Sequence, residues 1–172
     1  MVILITGATH TGKTKLAQKM LEKYKYPYLS IDHLKMGLIR SGHTDLTVED
    51  DEKLTSYLWN IVKEMIKTAI ENKQNLIVEG CYIPFDWKSS FAENYLDQIR
   101  YVCLCFSDTY IENHFSEIMA HGCDIEARLD ESDCTEEIFT EENRLFQEGC
   151  KGYGLPVCLI EDDYEMMVNS IL

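Results

Sequence analysis

Positive charge is scarce in this 172-residue chain: 16 Lys and Arg stand against 30 Asp and Glu, a formal net charge of −14. Recognition of a nucleic-acid backbone needs a basic stripe that displaces counterions. The balance therefore argues against a nucleic-acid surface, and equally against docking on an anionic membrane. It leaves room for a local basic pocket inside an acidic shell, so anionic small molecules stay open. The seven cysteines (Cys81, Cys103, Cys105, Cys123, Cys134, Cys150 and Cys158) form no CxxC pair. Their odd number and irregular spacing argue against a zinc knuckle or a thioredoxin-type site. The apolar opening at 1–5 lacks a basic flank and a cleavage site and is too short to span a bilayer. Reduced thiols in a cytoplasmic protein are the expectation. Repeats, low-complexity tracts and linkers are also absent, so a single domain over 1–172 is expected.

What is there alternates between short apolar runs and amphipathic stretches. Residues 2–6 are branched and apolar without polar alternation, which suits a strand buried on both faces. Further strands are expected at 28–31, 75–78, 99–106 and 155–160. Helices are expected at 15–24, from Asp32 to about Arg40, beyond the capping-box-like Thr47-Val48-Glu49-Asp50, at 85–96, through most of 108–152, and at 163–172. Such alternation implies an α/β fold with a parallel sheet and helices on both faces. The stretch 126–142 is densely acidic and reads as a solvated helical face or a mobile loop. Cys103 and Cys105 share one face of their strand and read as core residues.

One motif carries chemistry. Residues 7–14 read Gly7-Ala8-Thr9-His10-Thr11-Gly12-Lys13-Thr14 and match G-x-x-x-x-G-K-[ST]. Glycines let successive backbone N–H groups turn toward one anion, and the following helix points its positive dipole end there. Lys13 is placed to reach β- and γ-phosphate oxygens, and the Thr14 hydroxyl to hold Mg²⁺. A buried strand before the motif and an amphipathic helix after it supply the required context.

Other P-loop classes fit less well. Asn72-Lys73-Gln74-Asn75 has Asn where a guanine-reading loop needs Asp, and it precedes the third strand. That strand ends Glu79-Gly80, without the paired acids of a motor ATPase. The combination resembles the small-molecule and nucleotide kinases of the P-loop group, which include adenylate, shikimate, gluconate and zeta-toxin-like kinases. Residues 32–40 also resemble the matching stretch of sequences described as 2-phosphoglycerate kinase. The resemblance spans the chain as an order of elements, with only 7–14 highly specific.

That resemblance implies a three-layer P-loop fold with five parallel strands in the order 2-3-1-4-5. It also implies an ATP- and Mg²⁺-dependent phosphotransferase, cytoplasmic and monomeric or homodimeric. Its acceptor would be a small molecule, such as a hydroxyl of a sugar acid or phosphoglycerate-like compound. Nucleotide contacts are expected from Gly7, Thr9, His10, Thr11, Gly12, Lys13, Thr14 and Lys15, and metal contacts from Thr14 and Glu79. Asp32 would orient or deprotonate the acceptor hydroxyl. Lys35, Arg40, Glu79 and Gly80 would bind the acceptor, whose region is 32–72. A lid within 108–150 would close with Arg128, while Arg144 would pair along its helix with Glu141 or Glu148. That lid is poor in arginine. Two rivals follow: a nucleoside or nucleotide kinase, and a nucleotide-binding regulatory module with little turnover.

Overall fold

The branched apolar run at the amino end forms β1 (Val2–Gly7), and all six residues are buried. The computed structural model of the protein describes residues 1–121 and 135–172. β1 lies parallel between β3 (Leu76–Glu79) and β4 (Ile99–Phe106). β2 (Tyr28–Ser30) pairs with β3, and β5 (Cys158–Ile160) with β4. The sheet order is thus β2-β3-β1-β4-β5, the order expected for a P-loop kinase fold.

Alternation along β1 divides the core. Ile3 and Ile5 pack with Leu16 and Met20 of α1 (Lys13–Tyr24) and Val168 of α7 (Tyr164–Ile171). Val2 and Leu4 face the other way, onto Leu58, Val62 and Ile66 of α3 (Asp51–Glu71). Each fully buried branched side chain contributes about 1.5–3 kcal/mol. At the carboxyl end of β1, a Cβ added to Gly7 (φ 138°) would overlap the Leu104 carbonyl of β4. Glycine is therefore required at position 7 for the strands to stay paired up to the loop.

Several boundaries differ from expectation for local reasons. Ile31 leaves the second strand and opens α2 (Ile31–Arg40), with Ser30 as N-cap; Asp32 falls in the first turn and is not the cap. The Thr47 segment does not start a helix at once. Thr47 donates its N–H and hydroxyl to the Asp50 carboxylate (3.0 and 3.1 Å), closing a turn before α3. Residues 85–96 are not one helix but a 3₁₀ turn (Trp87–Ser90) and a single helical turn, α4 (Glu93–Leu96). Aromatic packing overrides helical spacing there: Trp87 stacks on Tyr101 with centroids 5.6 Å apart, and Phe91 is extended with its edge toward Trp59. β5 is shorter than expected because Pro156 has no N–H for the ladder.

After β4 the chain forms α5 (Asp108–His121) and α6 (Glu136–Gly152). Asn143 fastens α6 to the sheet. Its buried side chain accepts from the Phe106 N–H (2.8 Å) and donates to the Phe139 carbonyl (2.9 Å). Arg144 makes its direct contacts with Asp108 on α5, at 2.6 and 3.2 Å, while Glu141 and Glu148 of its own helix act on it only through their charge. Among the described residues, no helix is long and apolar enough to cross a membrane.

Candidate functional site

The loop between β1 and α1 opens into a cavity of about 1060 Å³ at the carboxyl ends of the central strands. Open α/β sheets place ligands at this end. Gly12 precedes α1, so the first helical amides face the cavity. Lys13 donates from Nζ to the Ala8 carbonyl at 2.7 Å, folded back along its own loop. The Thr11 hydroxyl, fully buried, donates to the same carbonyl at 2.7 Å and braces the turn. Thr11 and Gly7 do not line the cavity, whereas Thr9, His10, Gly12, Lys13, Thr14 and Lys15 do. His10 has a left-handed backbone (φ 61°) and sets its ring against the Phe139 ring at 5.6 Å.

The expected metal ligands come together. The Thr14 hydroxyl donates to Glu79 Oε2 at 3.3 Å, bringing the start of α1 to the end of β3. Glu79 is 2% exposed. A hydroxyl and a carboxylate are hard oxygen donors of the kind Mg²⁺ takes alongside phosphate oxygens and water. Gly80 does not line the cavity. A Cβ there (φ 150°) would stand 3.0 Å from the Ile31 Cβ, so Gly80 serves the close passage of β3 against α2.

On the opposite wall, Asp32 Oδ1 accepts from Lys35 Nζ at 2.7 Å, one helical turn apart. Lys35 also donates to the Tyr82 hydroxyl (2.9 Å), and its ammonium lies 4.8 Å from the Tyr82 ring centroid. Tyr82 in turn donates to Asp51 Oδ1 at 2.8 Å. Burial, with the Cys81 side chain beside it, the hydrogen bond to Asp51 and the Asp51 and Asp32 carboxylates nearby, pushes the Tyr82 phenol well above its usual range. Burial likewise pushes the Cys81 thiol up to about 11. Both groups are neutral at physiological pH. Arg40 is not brought to this wall: it is exposed on the last turn of α2 and does not line the cavity. Lys35 and Arg40 therefore do not form the expected fork.

Sequence reasoning missed Glu142, Asp51 and Glu165. Glu142 of α6 accepts at Oε1 from both the Thr9 N–H (3.0 Å) and the Thr9 hydroxyl (2.8 Å). It belongs to the acidic run read as a solvated face, and nothing in the local pattern sets it apart from Glu141. Tyr82 and Asp51 are joined only by the fold; the one signal was the position of Tyr82 just past Glu79-Gly80. At the far rim, Lys15 pairs with Glu165 at 3.3 Å and lies over the Tyr164 ring. The hydrogen bond from Lys19, together with Lys15, holds the Glu165 carboxyl below its ordinary range. Arg128, expected to close over the phosphates, lies outside the described residues, as does the rest of 122–134 within the expected lid region 108–150.

The Zeta toxin family model matches residues 1–106, more than half of the chain. No curated protein matches it. Among solved structures, a deoxyadenosine kinase from M. mycoides superposes with a TM-score of 0.59 at 18% identity, over 99% of this chain and 96% of that one. A gluconokinase from Sinorhizobium meliloti 1021 gives 0.56 at 14% identity, over 99% and 89% of the two chains. A shikimate kinase from Aquifex aeolicus vf5 gives 0.52 at 18% identity, over 99% and 93%. At these identities the superpositions speak for a shared fold. The loop, the sheet order and the family match agree, and the chain belongs to the Zeta toxin family within the P-loop small-molecule kinases.

Proposed function

We propose that the protein transfers the γ-phosphoryl group of ATP to a hydroxyl of a small molecule. The observation that carries this reading is the convergence of Lys13, Thr14, Asp32 and Glu79 on one cavity, with Thr14 and Glu79 in contact. ATP would place its phosphates against the amides that open α1, and Lys13 would leave the Ala8 carbonyl to meet them. Thr14 and Glu79 would hold Mg²⁺, which when bound neutralises charge on the phosphate oxygens. Asp32, oriented by Lys35, would accept the proton of the acceptor hydroxyl as its oxygen attacks the γ-phosphorus. The bond to the β–γ bridging oxygen would break in line, leaving ADP. Positioning and charge stabilisation account for most of the rate in such transfers.

The acceptor region falls in 32–72 together with Tyr82 in this proposal. A reducing, cytoplasmic setting belongs to it too, supported by the free thiols of Cys81, Cys103, Cys105, Cys150 and Cys158.

A second reading is a nucleotide-binding regulatory module, favoured by the Glu142 carboxylate seated on Thr9 of the phosphate loop. Product analysis separates the two. Mg·ATP is incubated with a panel of sugars, sugar acids, nucleosides and phosphorylated metabolites, using the parent protein and Asp32→Asn. Phosphorylated product from the parent alone, with ATP affinity equal in both, supports the kinase. ATP binding without product across the panel favours the module.

A further inference from the structure

Hydrogen-bonding capacity on the Asp32 wall is unbalanced. Lys35 directs two of its N–H groups to Asp32 and Tyr82, and Tyr82 directs its only O–H to Asp51. An ammonium has three donors, while two carboxylates offer about eight lone-pair sites between them. The wall therefore has more capacity to accept than to donate, and it suits a ligand rich in O–H and N–H groups. Its charge points the same way. Asp32, Asp51 and Glu79 line the cavity with Lys35, whose ammonium pairs with Asp32 and reaches Asp51 only through the Tyr82 hydroxyl. The other lining side chains among the described residues that can carry positive charge lie elsewhere: Lys13 on the phosphate loop, Lys15 against Glu165, His10 against Phe139 and His121 at the end of α5. Arg40 is at the far end of α2, about 12 Å along the helix from Asp32. Among the described residues of this wall, a phosphate or carboxylate on the acceptor would find only Lys35, already held by Asp32 and Tyr82, and would otherwise meet like charge; like-charge juxtaposition costs several kcal/mol when desolvated.

We infer that the acceptor is a polyhydroxylated compound without anionic groups, with amine-bearing members preferred, and that Asp51 and Tyr82 set this preference. The inference rests on the phosphotransferase reading and replaces the sugar-acid or phosphoglycerate acceptor suggested by segment 32–40. In the arrangement proposed, Asp51 receives a ligand ammonium or hydroxyl while Tyr82 holds that carboxylate in place. Met36 and Val48 supply the apolar side of the same wall. A nucleoside fits this class and a nucleotide does not.

The test uses matched scaffolds: glucosamine, glucose, gluconate and glucose 6-phosphate, and adenosine beside adenosine monophosphate. Each is titrated calorimetrically into the full-length protein held with Mg²⁺ and a non-hydrolysable ATP analogue, and phosphate transfer from ATP is followed in parallel by ³¹P NMR. The expected result is binding of the amine or neutral member at least about tenfold tighter than its anionic partner. Asp51→Asn, which keeps an oxygen acceptor for Tyr82, should narrow the amine-to-neutral ratio and leave the affinity for the ATP analogue unchanged. Tighter binding of the anionic members, equal binding across the pairs, or no binding by any member overturns the inference. Discrimination as expected but without transfer upholds the acceptor class and counts against the kinase reading.

Discussion

Glu142→Gln should strengthen ATP binding. The Glu142 carboxylate is 3.0 Å from the Thr9 amide nitrogen, in a loop whose following amides face the cavity. A phosphate oxygen received there would lie within about 5 Å of it. At an effective dielectric of about 20, a like-charge pair at that distance costs about 3 kcal/mol. Glu142 is only half-buried, so solvent screens part of this cost, and about 1.5–3 kcal/mol is expected to be recovered. That corresponds to roughly 10- to 150-fold tighter binding. Gln keeps the oxygen that accepts from Thr9, so the loop should hold its shape. The assay is calorimetric titration of Mg·ATP into the parent, into Glu142→Gln, and into Glu137→Gln as a control. Glu137 is exposed on the same helix and does not line the cavity, so its change should leave affinity within about twofold. Equal or weaker ATP affinity in Glu142→Gln refutes the reasoning.

Other outcomes follow from the same contacts. Asn143→Ala leaves the Phe106 N–H buried without its acceptor, which costs about 1–3 kcal/mol. Thermal melting should then fall by about 2–4 °C per kcal/mol lost, and a shift under about 1 °C contradicts the anchoring role. Lys53 and Thr47 hold the Asp50 carboxyl down from 3.8 to about 2. A depressed folded-state pKa gives stability that is present above the unfolded value and lost as pH falls from about 4 to about 2. Denaturant unfolding of Asp50→Asn across that window should show a shallower loss than the parent; an unchanged profile counts against the assignment.

The parts of the fold visible in the sequence are those written in local chemistry. Residues 2–6 are apolar without alternation, which marked a central strand, and 7–14 marked the phosphate loop. The helical stripe through Leu54, Leu58, Val62 and Ile66 marked the long helix packed on the sheet. The Asp32–Lys35 pair follows from i,i+3 helical spacing and was readable in principle. Contacts between distant segments were not readable. Thr9 and Glu142 are 133 positions apart, and Glu142 is one acid among several on α6. Trp87 and Phe91 have helical spacing, yet stacking on Tyr101 and contact with Trp59 decide their backbone. Gly7 fits a phosphate-contact reading by motif and Gly80 an acceptor-contact reading by position, but their close neighbours are β4 and Ile31.

The most direct test of the account is whether the amides and lysine of the amino-terminal loop take a polyphosphate. ATP is titrated with Mg²⁺ into the parent protein and into Lys13→Ala, both shown to be folded by circular dichroism. A saturable one-site heat in the parent that disappears in the variant is the predicted result. No heat in the parent, or the same heat in both proteins, contradicts it.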